Sequence, residues 1–502
     1  MSRTIPLFAV AVLLGQTSVE SIYEQAFEAL RSGKLTEART LARSVIAAAP
    51  QAAEGYHLLA IVESRQGADA GAEANFQKAL QLRPGYLEAQ RNFAIHLART
   101  GRHERAITEF RRLLKASPDS VDTARSLGRL YFLTGKYQEA VPLLEQTGTA
   151  EASAMLGVAL LRLGDLPRAR SVLDAVPLED YGPELISEIW RGRGVLRIED
   201  GKMEDALYAF RTAVAADPRN IDASLGLAQT YFRTGRYDQC LQALTAVPQT
   251  DWDERFLNMQ GSAYAKSGKL DPAVASFRKA IRRNPMLEEA HYNLGLALLK
   301  SGASARGIEV LRNASASFPK SRTIFTTLGI AYQLSGALVE AHAAFRRVIQ
   351  LDLTHADGHV LLGSAFMESG DHEKAREHFL GAARLDGGSA RTQYLLGIVN
   401  AYLGRPDEAR TGLSRVIELD SKFCFAYYQL AKLELDGGKL ELARNLSGQA
   451  AACDANFAQP HFQMSQILAR LGDQQGSQSE MRRFEEIKAG TPERKYQVFV
   501  LP

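Results

Sequence analysis

The sequence lacks the short motifs that carry common chemistries. It contains no G-x-x-x-x-G-K-[ST] phosphate-binding loop, no G-x-S-x-G nucleophile elbow and no H-E-x-x-H metalloprotease motif. Four histidines lie close in sequence but have no acidic or thiol neighbours at metal-site spacing: His355, His359, His372 and His378. We therefore predict a protein that is not an enzyme, with no catalytic residue, cofactor or metal.

A strong charge of either sign is also absent. Sixty lysines and arginines stand against 57 aspartates and glutamates, which leaves a formal net charge of +3. This balance argues against a dedicated nucleic-acid surface, so we predict no nucleic-acid partner. The apolar run Ile5–Leu14 has ten residues and is too short to cross a bilayer comfortably. No transmembrane span is predicted in the mature chain.

The sequence contains a regular repeat instead. A glycine recurs, mostly every 34 residues, at Gly33, Gly67, Gly101, Gly135, Gly164, Gly201, Gly235, Gly268, Gly302, Gly336, Gly370, Gly404, Gly438 and Gly472. A small residue follows five positions later, as at Ala273, and another precedes by seven, as at Gly261. A large apolar residue such as Phe277 comes four positions after the alanine. A fixed period of this length is typical of a solenoid, in which each repeat packs against its neighbours.

These columns resemble the tetratricopeptide repeat (TPR) family, whose motif is W-x2-L-G-x2-Y, then A-x3-F, then P. Trp190 and Gly194 stand at the Trp and Gly positions of that motif. The resemblance extends over almost the whole chain, from residue 19 to residue 490. It implies an all-α, right-handed superhelical solenoid of about fourteen helix-turn-helix repeats.

The two ends of the chain differ from the repeats. Residues 1–18 combine Arg3, the apolar run and small residues, which predicts a signal peptide and a periplasmic or secreted protein. The alternative is an apolar helix that caps the first repeat of a cytoplasmic protein. The polar helix at residues 474–488 fits the solubilising cap of a solenoid, and residues 491–502 form a tail. Within the solenoid, an irregular stretch is predicted near residues 142–186, where Pro142 lies deep in a helix.

In the TPR family, the first helix of each repeat lines a concave surface where partners bind. By subtracting the core positions, we predict that one column of this surface is His57, Arg91, Arg125, Ala154, Arg191, Leu225, Asn258, Tyr292, Thr326, Val360, Tyr394, Tyr428 and Phe462. The lysine and asparagine with which some TPR domains clamp a C-terminal carboxylate are missing from it. Recognition of that kind is therefore not expected.

Two parts of this surface are candidate partner sites. Arg91, Arg125 and Arg129 are predicted to form a basic patch for a carboxylate or another acidic group. The alternative is that they form exposed ion pairs, since Glu88 and Asp122 each lie three residues before an arginine.

The second candidate site is aromatic. Tyr394, Tyr428 and Phe462 recur every 34 residues, with Phe425 one turn before Tyr428 and with Tyr292 in the same column. The first three are predicted to form a partly exposed ladder that binds apolar peptide side chains or sugar faces. The alternative is that these rings pack against the neighbouring first helix and stiffen the solenoid.

The three cysteines have separate explanations. Cys240 stands in the column of small residues, so it is predicted to be a buried and inert thiol. Cys424 opens a first helix and Cys453 closes the following second helix, and antiparallel packing brings those ends together. A disulfide between them is one candidate, and two independent, partly buried thiols are the other.

The pattern therefore predicts a non-enzymatic scaffold that binds extended peptides or protein surfaces in its groove. The alternative is a periplasmic component of polysaccharide export or secretion whose groove contacts glycan. The sequence does not identify the partner.

Overall fold

A computed structural model describes residues 18–178 and 181–490 of the chain. Contacts divide the chain into two compact halves, one ending at Pro248 and the other beginning at Gln249. Among the described residues all regular structure is helical, and each half contains seven pairs of α-helices. The predicted signal peptide, apart from Ser18, and the predicted tail lie outside the described residues.

The first helices of the N-terminal half are α1 (Val19–Arg31), α3 (Ala53–Arg65), α5 (Leu87–Arg99), α7 (Val121–Leu133), α9 (Ala150–Arg162), α11 (Pro183–Glu199) and α13 (Ile221–Arg233). Its second helices are α2 (Leu35–Ala48), α4 (Asp69–Leu82), α6 (His103–Ala116), α8 (Tyr137–Glu145), α10 (Leu166–Ala175), α12 (Met203–Ala216) and α14 (Tyr237–Thr245). Each pair forms one repeat.

The C-terminal half opens with a short 3₁₀ helix, Gln249–Asp251. Its first helices are α15 (Glu254–Lys266), α17 (Glu288–Lys300), α19 (Arg322–Leu334), α21 (Ala356–Glu368), α23 (Ala390–Tyr402), α25 (Cys424–Asp436) and α27 (Ala458–Arg470). Its second helices are α16 (Leu270–Arg283), α18 (Ser304–Ser317), α20 (Leu338–Leu351), α22 (His372–Leu385), α24 (Pro406–Leu419), α26 (Leu440–Cys453) and α28 (Gln474–Gly490).

A left-handed glycine makes the turn inside each repeat. All fourteen glycines that recur in the sequence have φ between 69° and 86°. At Gly268 the amide donates to the Ala265 carbonyl, and the amide of Lys269 donates back to Tyr264 at 2.8 Å. These bonds satisfy carbonyls at the end of α15 and reverse the chain into α16, a backbone conformation that favours glycine.

The two helices of a repeat approach closely because small residues face each other. The alanine five residues after the turn glycine is fully buried in every repeat that has one, and Cys240 takes that place in the seventh. A Cβ atom added at Gly261 would lie 2.6 Å from the ring of Phe277. The aromatic ring therefore occupies the space that the missing side chain leaves, which packs α15 against α16.

Ion pairs tie a repeat to the one before it. The basic residue after the turn glycine reaches an acidic residue of the preceding second helix, as Lys136 reaches Glu104 at 2.7 Å and Arg405 reaches Glu373 at 2.8 Å. All of these side chains are at least one-third exposed, so each pair contributes at most about 1 kcal/mol. Because the same ion pair recurs at equivalent positions, these consecutive repeats are aligned with each other in the same way.

Helix lengths depart from the common pattern in the middle of the N-terminal half. Helix α8 has nine residues with Pro142 inside it, and α10 has ten. Helix α11 is longer, with seventeen residues, and starts at Pro183. Pro142 thus lies within a short helix that continues to Glu145. Helix α14 is equally short, with nine residues, which the sequence analysis did not anticipate.

The packing predicts that Phe345 and Val339 of helix α20 contribute very differently to stability. Phe345 is fully buried against Gly329, whereas Val339 on the same helix is 78% exposed. Phe345→Ala should lower the free energy of unfolding by about 3–5 kcal/mol because it opens a cavity. Val339→Ala should change it by no more than about 0.5 kcal/mol. Denaturant unfolding followed by circular dichroism measures both, and equal losses would contradict the packing described.

Candidate protein-interaction surface

The first helices form one continuous surface in each half. Contacts recur between consecutive first helices, as between α1 and α3, α3 and α5, and α15 and α17. The second helices mostly contact first helices, either their own or the next one. We call the side formed by the first helices the inner surface.

The column predicted to line this surface is mostly buried. Seven of its members are less than 9% exposed: His57, Ala154, Arg191, Leu225, Asn258, Val360 and Tyr394. Contacts with the next repeat cover part of this column, as where Asn293 donates to Asn258 at 3.1 Å. This corrects the prediction for these positions, because the stripe left over by packing inside one repeat is covered by the following first helix.

His57 shows how a polar member of the column is accommodated. Its Nδ1 lies 3.0 Å from the Tyr86 hydroxyl, and its Nε2 lies 2.8 Å from the Asn92 amide of the next repeat. Burial, with the nearby Arg83 charge, lowers the pKa of His57 to about 4. The imidazole is therefore neutral at physiological pH and joins two repeats through hydrogen bonds.

The predicted basic patch is exposed, but its charges are already paired. Arg91 lies 3.6 Å from Asp122 of the next repeat, and Asp122 also binds Arg125. Arg129 lies 3.4 Å from Glu151. The intrahelical pair of the alternative is present for Arg125 only. Arg91 pairs with Asp122 rather than Glu88, and Arg129 pairs with an acidic residue of the next repeat. An anionic ligand would have to displace these carboxylates.

The predicted aromatic ladder does not present a row of free rings. Tyr394 is only 3% exposed and packs on Phe423 with ring centroids 5.1 Å apart, so it belongs to the core. Burial raises its pKa to about 12. The expectation of a partly exposed Tyr394 is therefore wrong, because α25 and the loop before it cover this side of α23.

The other predicted rings are more accessible. Tyr428 and Phe425 are half-buried, and both pack against Phe457 of the next repeat, with centroids 5.4 Å and 4.7 Å away. Phe462 is 39% exposed and contacts Phe484 at 5.3 Å. Tyr292 is half-buried, and burial together with Glu289 raises its pKa. Each of these rings is therefore only partly open to a ligand.

The structure joins Cys424 and Cys453 by a disulfide, with Cα atoms 5.5 Å apart. The bond links the start of α25 to the end of α26. Cys240 is a buried free thiol, and desolvation raises its pKa to about 12, so it is a poor nucleophile.

A metal site and a membrane-spanning helix each have requirements with which the described residues can be compared. No group of three or more histidine, cysteine, aspartate or glutamate side chains in it could hold a metal ion. His359 and His378 do meet, with their Nδ1 atoms 3.2 Å apart, but without a third ligand. No described helix is both long and apolar enough to cross a membrane.

The inner surface carries a second column of residues that was not predicted from the sequence. Phe27, Ile61 and Ile95 recur every 34 residues, four residues after the predicted column. Phe27 is 42% exposed, Ile95 is 46% exposed, and Ile61 is half-buried. We call these three residues the apolar column. The sequence could have indicated this column, because an apolar residue recurs there although the contact between the two helices of a repeat does not need one.

A pocket opens beside this column between the first helices of the second and third repeats. Ile61 and Arg65 of α3 and Ile95 and Arg99 of α5 line it, and no acidic side chain does. His96 also borders it, with Nδ1 2.8 Å from the Ser64 hydroxyl and with Nε2 buried and unpartnered. The pocket is therefore both apolar and basic.

This arrangement of paired helices around left-handed glycines defines a helical-repeat scaffold. Family models described as Tetratricopeptide repeat match residues 23–86, 91–147, 131–187, 197–262 and 326–390. A model described as TPR repeat matches residues 261–302. The chain belongs to the tetratricopeptide repeat family, a non-enzymatic type of scaffold typical of protein–protein interaction.

Individual relatives share only part of their length with this chain. Protein CTR9 homolog of Arabidopsis thaliana is 31% identical over 137 residues, 26% of this chain and 12% of that protein. DnaJ homolog subfamily C member 3 of Homo sapiens is 36% identical over 90 residues, 18% of each chain. Uncharacterized protein y4yS of Sinorhizobium fredii (strain NBRC 101917 / NGR234) is 29% identical over 170 residues, 33% of this chain and 91% of that protein. The chain thus spans less than a fifth of the first two.

Among solved structures, the crystal structure of APC/C hetero-tetramer Cut9-Hcn1 aligns with a TM-score of 0.38 at 15% sequence identity. The alignment covers 90% of this chain and 97% of that chain.

The corrected position of Tyr394 predicts unequal roles within the aromatic set. Tyr394→Ala should lower the free energy of unfolding by about 3 kcal/mol or more, because it removes a buried ring. Phe462→Ala removes a more exposed ring and should cost no more than about 1 kcal/mol. Denaturant unfolding of the two single variants provides the comparison. A Tyr394→Ala variant as stable as the parent would contradict the burial of this ring.

Proposed function

We propose that this protein is a non-enzymatic scaffold that binds extended peptides or protein surfaces along its inner surface. The observation that carries the proposal is the apolar column of Phe27, Ile61 and Ile95. These residues stand on three consecutive first helices, and two of them are more than two-fifths exposed. A contiguous exposed apolar stripe bordered by polar residues is typical of an interface.

The repeats can leave Phe27 and Ile95 exposed because their cores are filled without them, whereas Ile61 packs partly against the core. Buried alanines and Phe76, Phe93 and Phe110 occupy the core of the first repeats. Complete burial of a fully exposed large apolar side chain contributes about 1.5–3 kcal/mol, and a partner that covered the exposed part of Phe27 or Ile95 would gain a little under half of that. Several such contacts in a row are enough for a specific, reversible complex.

The glycan-binding alternative has less support. The surface expected to stack against sugars was the row of aromatic rings, and Tyr394 in that row is buried. Phe462 and the half-buried rings near it remain as stacking surfaces. Saccharide recovered with the protein in an affinity pull-down from the native host would favour this alternative.

A pair of charged substitutions tests the scaffold function. Phe27→Asp together with Ile95→Asp should abolish capture of partners from the native host, since the partner would have to bury two carboxylates. Helicity should be unchanged because neither residue is in the core. The matched control is Tyr208→Asp, which alters a residue 63% exposed on the second helix α12. Quantitative mass spectrometry compares the recovered proteins, and identical recovery from all three proteins would refute the proposal.

We also propose that the protein is exported. The support is the combination of Arg3 with the apolar run Ile5–Leu14, together with the disulfide between Cys424 and Cys453. Structural disulfides persist mainly in oxidising compartments.

N-terminal sequencing and thiol counting on the native protein test export together. A mature chain that begins near Gln16–Glu20 and has one free thiol is expected. An intact N-terminus in the cytosolic fraction with three free thiols would contradict it.

A further inference from the structure

We propose that the first three repeats bind an extended peptide in which aliphatic and acidic side chains recur together. The inference rests on the proposed scaffold function and specifies its ligand. It uses the apolar column and a second column four residues later, which we call the arginine column: Arg31, Arg65 and Arg99.

Each repeat presents one apolar and one cationic side chain side by side. Residues four apart on a helix share a face, so Phe27 lies beside Arg31 and Ile61 beside Arg65. The third repeat continues the pattern with Ile95 and Arg99. In the fourth repeat the order is reversed to Arg129 and Leu133, which ends the pattern there. The two columns thus form a single stripe on α1, α3 and α5.

The charge of this stripe calls for an anionic partner. Arg65 is exposed, and its hydrogen bond, to the Leu30 carbonyl, is long at 3.4 Å. Within the described residues it forms no ion pair. This distinguishes Arg65 from Arg91, Arg125 and Arg129, whose carboxylate partners are in place.

The two flanking arginines, Arg31 and Arg99, still have N–H groups that can donate hydrogen bonds to a ligand. Arg99 donates to the Ser64 carbonyl at 2.8 Å and to Asp69 at 2.7 Å. Arg31 lies 3.8 Å from Glu28, and its side chain is 73% exposed. A guanidinium has five N–H donors, so both can still donate to a ligand. The pocket between α3 and α5 is lined by no acidic side chain that would repel it.

The spacing of the helices identifies the ligand as an extended peptide. Packed helices lie about 8–10 Å apart, and an extended chain of the polyproline II type turns once every three residues and advances about 3.1 Å per residue. About three peptide residues therefore span one repeat. A peptide of about nine to twelve residues could place one aliphatic and one acidic side chain on each of the three repeats. Asn92, whose amide nitrogen binds His57, retains an amide oxygen that can accept from the peptide backbone.

The acidic groups must be side chains because the site repeats. A peptide has only one C-terminal carboxylate, whereas apolar and cationic pairs occur on three consecutive helices. Internal aspartate or glutamate residues can match all three pairs. A free C-terminus could satisfy only one of them.

Fluorescence anisotropy with the full chain tests the specificity. The probe is a fluorescein-labelled, C-terminally amidated peptide built from about four Leu-Asp-Ser triplets. The probe should bind, and its affinity should fall as the salt concentration rises. Three comparison peptides should bind at least about tenfold less tightly: Leu-Lys-Ser triplets, Ser-Asp-Ser triplets, and a peptide with the leucines and aspartates segregated into two blocks.

Substitutions assign the binding to the stripe. Arg65→Glu should lower the affinity for the Leu-Asp-Ser probe at least about tenfold, and Ile61→Ser should also lower this affinity. The matched control is Arg111→Glu on the second helix α6, which should leave binding unchanged. Circular dichroism establishes that each variant is folded. A free-acid version of the probe should bind like the amide, and binding that needs the free C-terminus would overturn the proposal.

The outcomes separate this inference from the scaffold function. If no acidic–aliphatic probe binds, or if Arg65→Glu has no effect, the inference is wrong. The scaffold function still stands in that case provided that Phe27→Asp with Ile95→Asp loses its partners in host extracts. If that variant keeps its partners, the inner surface of these repeats is not the interface and both proposals fail.

Discussion

The close approach of the two helices in each repeat is the constraint on which the rest of the structure depends. It requires small residues where the helices meet, and a fully buried alanine stands there in most repeats. At Gly261 even one added Cβ would lie 2.6 Å from the Phe277 ring. Because this contact fixes how the helices of a repeat cross, it also sets how the next repeat can dock.

Docking of the next repeat determines which residues remain for function. It covers the stripe that contains His57, Asn258 and Tyr394, and it joins the stripe to the following helix by contacts such as that between Asn258 and Asn293. The apolar column lies four residues further along the first helix and stays open. The charged residues differ in the same way. Asp122 pairs with Arg91 across the repeat boundary and with Arg125 on its own helix, whereas Arg65 has no such carboxylate. The proposed binding stripe is what remains.

The architecture could be predicted from sequence because its determinants are local. Gly268 requires a left-handed turn, and Gly261, Ala273 and Phe277 define the contact inside one repeat. The candidate sites could not be predicted in this way, because the exposure of a side chain depends on how the neighbouring repeat covers it. Subtracting core positions within one repeat placed Tyr394 at the surface, whereas the next repeat buries it. The arginines were correctly placed at the surface, but the partner of Arg91 lies in the next repeat.

The most direct test of the central claim is an unbiased selection of ligands. A random-peptide display library is passed over the full chain and over the Arg65→Glu variant, and the retained peptides are sequenced. The account predicts that the full chain enriches peptides with aliphatic and acidic residues recurring about every three positions, and that the variant loses them. Enrichment of basic or sequence-independent peptides, or the same acidic peptides on both proteins, would contradict it.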